Sequence, residues 1–393
     1  MPPSPVPITL YYVALFGALG LYLPYLSVYL TSVGLSEATA TRVAAVGPVV
    51  NLFVPPLLGL LADARSARVW LLRGFSAAAA LTFAGLWLAA DNLVAIVVVM
   101  ALFAVTRAPL VPLADATAHE HVRHHGGSYG RLRTWGSLGY LVVAKLGGTL
   151  YAETSIGAMV GATTAALALS VVFAWQMPAA VPRRDTASFA AWRDLLRERR
   201  LWLFLVAVAA GQMAGSSYDA ALALHLRRLG EGEDFVGTVI AVGVAVETAL
   251  IAVSGRLLAW LSAERGLALA FAAAALRWGL LAFATSRVMI VAQAPLHALT
   301  FGLYWVSATT LMREYAGPRL AAAGQGLLGA ATAVGSIVGL WNAGQLLERG
   351  GGRLLFGVSA GVAALAAALA TAHAIAFRQR APLPHGGGDG PDA

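Results

Sequence analysis

The sequence predicts an all-α membrane protein, with twelve transmembrane helices arranged as two pseudo-symmetric six-helix bundles. Three observations carry that prediction. Of 393 residues, 59% are hydrophobic and 12% charged, and the mean hydropathy is +0.73, more apolar surface than a soluble domain of this size can bury. The apolar residues fall into runs of about 20, the length that carries a helix across a hydrocarbon core of roughly 30 Å. The longest polar stretch, Met177 to Arg200, divides those runs into six and six.

In chain order the expected spans are 8–30, 39–61, 69–90, 93–115, 128–151, 155–176, 201–225, 235–258, 266–285, 288–312, 320–347 and 354–377. The opening Met1-Pro-Pro-Ser-Pro lacks a basic n-region, and the apolar run after it is too long for a signal peptide, so it reads as the first span. The domains expected are an N-terminal bundle, 1–177, a linker, 178–200, a C-terminal bundle, 201–380, and a glycine- and proline-rich disordered tail, 381–393. Within the linker, Phe189 to Arg200 has the pattern of a short amphipathic surface helix.

The formal charge of +8 and isoelectric point near 10.1 do not mark a nucleic-acid binder, because the arginines sit in short clusters between apolar runs. Their distribution is topological. With both termini inside, the even-numbered loops collect Arg65, Arg68, Arg123, the linker arginines, Arg256, Arg265, Arg313 and Arg319, and the tail adds Arg378 and Arg380. The opposite side has Arg42, Arg227, Arg228, Arg287, Arg349 and Arg353, so the positive-inside rule places both termini in the cytoplasm. Lys145 is the single lysine, which together with the alanine content suggests a G+C-rich bacterial genome and hence a bacterial inner membrane. With no cysteine, the chain has no disulfide, thiol nucleophile or Fe–S cluster.

An ionisable side chain inside a membrane costs about 2.5–3.5 kcal/mol on insertion scales, so each is read first as functional. The N-terminal half has Arg107, Asp115, Arg133 and Lys145 in its spans; the C-terminal half has Asp219, Glu247, Arg277 and His297. Hairpin symmetry orders them by depth. Asp115 and Arg133 are equidistant from His124, taken as the middle of the fourth loop, so an ion pair between them is feasible. Arg277 and His297 each lie ten residues from Arg287, about 15 Å at 1.5 Å per residue, and Glu247 mirrors Arg277 about Ser262. Glu247, Arg277 and His297 therefore form a candidate mid-membrane layer. Arg133 and Tyr140, seven residues apart, line one stripe and suit an oxygen-rich or aromatic ligand. Asp219 has no evident basic partner and is expected to be protonatable or to face water, whereas Lys145 and Arg107 snorkel or pair structurally. The tyrosines of the first span, Tyr11, Tyr12, Tyr22, Tyr25 and Tyr29, are read as packing residues.

The run Gly59-Leu-Leu-Ala-Asp63-Ala-Arg65-Ser-Ala-Arg68 resembles the G-x-x-x-D-x-R-x-x-R loop of the major facilitator superfamily, where it implies a gating motif; Gly255-Arg-Leu-Leu-Ala259 is the counterpart without the aspartate. Pro112-Leu-Ala-Asp115-Ala and Tyr129-Gly-Arg131-Leu-Arg133-Thr-Trp135-Gly-Ser-Leu-Gly139-Tyr140 resemble the phenylpropionate permease branch, similar to lactose permease and the nucleoside proton symporters. The resemblance implies solute binding by Asp115, Arg133, Tyr140 and Glu247, and proton coupling by Glu247, Arg277, His297 and Asp219. It departs from lactose permease at Thr300, where that family has its main proton-site carboxylate, and at Ala294 and Thr332, where it has lysines. Lactose specificity is thus unsupported, and Glu247, Asp219 and Asp115 are the candidate proton carriers.

The function expected is secondary active transport, proton-coupled symport of a small organic solute by alternating access, with an aromatic or other organic acid favoured. Sugar or nucleoside symport, proton-antiport export of amphiphilic compounds and a non-transporting membrane sensor are the alternatives. The partners are a small-molecule solute, protons and the lipid bilayer, with a proton gradient in place of any cofactor and a monomeric chain. His119-Glu-His121-Val-Arg-His124-His125 has metal-ligand residue types but no zincin spacing, and is read as a solvated loop. No phosphate-binding loop or serine elbow occurs, so neither an ATP-driven pump nor an enzyme is indicated.

Overall fold

The computed structural model describes residues 4–54, 68–89, 92–177, 193, 195–317 and 320–378. The gating-motif residues Gly59, Asp63 and Arg65, most of the linker and the tail fall outside them, and of Arg68 only the backbone is described.

Among the described residues every element is helical. The first span is two helices, α1 (Val6–Tyr22) and α2 (Leu26–Ser32), bent by 44° where Pro24 removes a backbone donor. α3 (Glu37–Ala44) starts at Ser36, whose hydroxyl accepts from Thr39 N–H at 3.2 Å, and continues as α4 (46–54). α5 (Arg68–Ala84) and α6 (Leu86–Ala89) precede α7 (Leu93–Arg107), which Asn92 caps through Ala95 N–H at 3.1 Å. After Pro109, α8 (Leu110–His125) extends the fourth span ten residues beyond the expected 115, so the histidine run is helical rather than loop. α9 (Tyr129–Glu153) and α10 (Ala158–Gln176) complete this half.

The second half contains α11 (Arg199–Arg228), α12 (Glu233–Leu261) and α13 (Ala263–Phe283). α14 (Arg287–Gln293) runs into a 3₁₀ turn at Ala294–Leu296, a π-turn at Ala298–Leu303 and α15 (Tyr304–Ala316). Pro295 causes that break, and His297 sits at its centre. α16 (Ala321–Arg378) is two legs. Gly335 and Gly339 run beside Ala209 and Met213, whereas Phe356 and His373 run back beside His225 and Phe204. The chain reverses at Gly350 and Gly351, the latter at φ 63°, a conformation that glycine adopts without steric cost.

Eight helices of the described residues are long and apolar enough to cross a membrane, nine if the bent α1–α2 pair counts as one span. That measure falls short of the expected twelve partly because one of the eight is the double-legged α16.

Helices before residue 177 pack mainly on one another, as do those after 199. The halves meet where α2 and α3 touch α11 and α16, and where α9 touches α12. Polar contacts between them gather at one end, opposite the chain termini. Arg228 donates from Nε and Nη2 to the two oxygens of Glu37 at 2.9 and 2.7 Å; Ala38 N–H donates to Glu348 Oε1 at 2.8 Å and Gly344 N–H to Thr41 Oγ1 at 3.1 Å. Asp234 pairs with Lys145 and accepts from Thr149 Oγ1 at 2.7 Å. A Cβ on Gly344 would stand 2.2 Å from Glu37 O, so only glycine permits this approach. At the other end α8 and α15 share no packed interface among the described residues, and the space between the halves opens there.

Candidate functional site

Two polar clusters flank the space between the halves. On the N-terminal side, α1 places Tyr12 and Phe16 one turn apart. The Tyr12 hydroxyl donates to Asp115 Oδ1 at 2.5 Å. The Arg133 guanidinium lies 3.9 Å from the Phe16 ring centroid and 5.8 Å from that of Tyr12. Tyr129, one turn before Arg133 on α9, is within electrostatic reach of both Asp115 and Arg133, and His119 stacks on its ring at 3.9 Å. No carboxylate oxygen of the described residues lies within 4.0 Å of Arg133.

This arrangement corrects the reading of Asp115 and Arg133 as level neighbours. The turn between α8 and α9 is residues 126–128, not His124, so Asp115 is twelve residues from its centre and Arg133 six. Six residues of helix are about 9 Å, and tyrosines rather than a direct ion pair span the difference. Tyr12 is therefore no mere packing residue. Tyr11, Tyr22 and Tyr25 of the first span do pack: Tyr11 meets Ser76 Oγ at 3.0 Å, Tyr22 lies among Phe83 and Phe103, and Tyr25 donates to Ala144 O at 2.8 Å.

On the C-terminal side the structure brings Glu247, Arg277 and His297 together. Arg277 is 1% exposed, and each face of its guanidinium is used. Nε donates to Gln293 Oε1 at 2.8 Å, Nη1 to Thr300 Oγ1 at 2.9 Å and to His297 Nδ1 at 3.0 Å. Tyr218 and Trp278 place ring centroids 4.3 and 4.7 Å from its carbon. Because Arg277 can only donate, His297 Nδ1 accepts, and the ring hydrogen stays on Nε2, which faces Glu247 Oε2 at 3.2 Å. The π-turn after His297 is what brings His297 and Thr300 to bear on the same nitrogen.

Asp219 is exposed, yet His297, Arg277 and the Tyr140 of the other half are its electrostatic neighbours. It thus faces the open central space. Tyr140 also lies near Glu247 and Tyr218, so α9 contributes to both clusters. Lys145 pairs with Asp234 across the halves, as a structural ion pair would, and Arg107 lies beside Tyr22. Sequence reasoning missed Tyr12, Phe16, Tyr129, Tyr218 and Gln293. Gln293 was within reach of it: taking the turn between α13 and α14 at 285, eight residues separate it from Arg277 and eight from Gln293. Among the described residues no three metal-ligating side chains converge, His119 to His125 included.

A helical membrane protein of two packed halves, with buried charge lining a space open at one end, has the architecture of a major facilitator transporter. Residues 6–358 match the MFS_1 like family, and the chain belongs to it. It is 26% identical to a probable 3-phenylpropionic acid transporter of Escherichia coli K12 over 74% of this chain and 77% of that one. It is 29% identical to a maltose permease of Geobacillus stearothermophilus, covering 86% and 87%. The nucleoside transporter NupG superposes with a TM-score of 0.79 at 18% identity, over 95% of this chain and 99% of that one, a likeness of fold. The chain is a transporter of the major facilitator kind and a multi-pass membrane protein, and these relatives are named as transporters.

Proposed function

We propose that the protein is a proton-coupled symporter of a small organic solute, an aromatic or other organic acid before a sugar or nucleoside. The observation that carries this reading is Arg133, whose guanidinium carbon lies over the Phe16 ring, 3.9 Å from its centroid, with no carboxylate of the described residues at ion-pair distance. A planar cation fixed among aromatic rings suits a carboxylate attached to a ring. The 3-phenylpropionic acid named for one relative belongs to that class. The maltose and nucleosides named for others favour the second reading, in which Asp115 and Tyr12 bind hydroxyl groups.

Coupling is assigned to the opposite cluster. Protonation of Glu247 or Asp219 would weaken the hold of this cluster on Arg277 and His297, so solute and proton would stabilise each other's occupancy. No cofactor is needed beyond the proton gradient. The N-terminal half, 1–177, and the C-terminal half, 201–380, would rock as bodies about the site in a monomeric chain. With both termini in the cytoplasm of a bacterial inner membrane, the open end faces inward and the sealed end outward.

The test is purified protein in proteoliposomes with a pH-sensitive dye inside and a panel of aromatic acids, sugars and nucleosides outside. Solute-driven acidification with aromatic acids supports the reading. Acidification only with maltose or nucleosides moves the assignment to the second; solute-driven alkalinisation indicates antiport export, and binding without flux a sensor.

A further inference from the structure

The outer face of the N-terminal half has a groove of about 570 Å³ between α5 and α10. Its walls are short and apolar: Ala77, Ala80 and Leu81 from α5, with Ala168, Val171 and Val172 from α10. Its mouth has different chemistry. Arg73 lies beside both Trp70 and Trp175, with its guanidinium carbon 4.8 and 5.1 Å from the two ring centroids, which are themselves 5.8 Å apart and edge to face. Nε donates to Ala174 O at 3.3 Å, which also accepts from Met177 N–H, and Nη2 to Trp175 O at 3.0 Å, both in the last turn of α10 where carbonyls run out of i+4 partners. A guanidinium has five N–H groups, so three remain for a ligand. Trp70 and Trp175 are 64% and 56% exposed, outward-facing rings of the kind that mark the membrane–water boundary.

The groove runs inward from that boundary. Eight residues separate Arg73 from Leu81 and eight separate Gln176 from Ala168, about 12 Å along either helix. A fixed cation at headgroup depth, continuous with an apolar bore reaching into the hydrocarbon, describes a ligand with an anionic head and an aliphatic tail. We propose that this groove binds one anionic glycerophospholipid, its phosphate on the free N–H groups of Arg73 and one acyl chain along Ala77, Ala80 and Ala168. The stacking and the two carbonyl bonds hold the guanidinium in place before the lipid arrives, which lowers the ordering cost of binding. A zwitterionic lipid presents the same phosphate, but its cation meets a chain of formal charge +8.

The experiment is native mass spectrometry of the full-length protein titrated with dioleoyl phosphatidylglycerol, dioleoyl phosphatidylcholine or inorganic phosphate. One phosphatidylglycerol is expected to be retained in preference to phosphatidylcholine, with retention weakened about fivefold in Arg73→Gln. Ala168→Phe, at an exposed position, fills the bore without touching Arg73 and is expected to abolish retention. It carries the test alone if Arg73→Gln fails to fold, since Arg73 also holds the end of α10. Equal retention of the two lipids overturns the proposal, as does retention unchanged in Ala168→Phe or inorganic phosphate displacing the lipid.

Discussion

The two polar clusters flanking the central space are satisfied in opposite ways. In the C-terminal half, Arg277 is bonded to Gln293, Thr300 and His297, and His297 turns its other nitrogen to Glu247, so Arg277, His297 and Glu247 each have a partner from the same half. In the N-terminal half, Asp115 is answered by a neutral tyrosine, and Arg133 by the faces of aromatic rings. A buried cation already surrounded by acceptors gains little from a ligand anion; one resting on rings has its hydrogen-bonding edge to offer. The contrast teaches that ligand binding and charge switching can be assigned to different halves even though both contain an arginine and a carboxylate.

Four experiments break or sharpen that contrast. The largest effect is expected from Arg133→Ala, which should cut solute binding about a hundredfold by isothermal titration or scintillation proximity, with Arg133→Lys recovering only part because an ammonium lacks the planar fork of donors that a guanidinium over the Phe16 ring presents. Arg277→Ala reducing binding as much, in protein that elutes and melts normally, would erase the distinction between the halves. Next, Glu247→Gln keeps an acceptor for His297 Nε2 but removes the titratable charge; the dye signal for proton movement should vanish while solute exchange across the vesicle membrane persists. Loss of both together would place Glu247 in the binding site alone.

The third concerns the sealed end. Gly344→Leu cannot fit against Glu37 O and should drive the halves apart there. The chain has no cysteine, so Ala45→Cys, placed in the seam beside Ala220 and Leu340, reports opening without background. Its maleimide labelling is expected to accelerate about tenfold in the Gly344→Leu background. The smallest effect is expected from Gln293→Ala, which leaves Arg277 Nε without its buried acceptor and should cost about 1–3 kcal/mol of stability, read as a lowered melting temperature with solute affinity little changed.

How much of the site was legible in the sequence depended on where the turns fall. Glu247 and Arg277 count equally from Ser262, the one residue between α12 and α13, and the structure brings both of them to His297. Asp115 and Arg133 were misplaced because α8 persists to His125, through a polar run whose composition reads as loop. Tyr12 was passed over because five tyrosines on one helix look alike until it is known which faces Asp115. The seam at Gly344 left no local trace, since its partner, Glu37, is more than three hundred positions away in the chain.

Composition and spacing by themselves determined the membrane class and which ionisable residues fall within apolar spans, because the length of helix needed to cross the hydrocarbon core follows from the backbone's fixed rise per residue. Which residues face one another around the helix axes, which end of the bundle is closed and which arginine is left on an aromatic face were decided only by the tertiary structure. These depend on the rotation and crossing of helices distant in the chain, and side-chain packing rather than any local interaction fixes them.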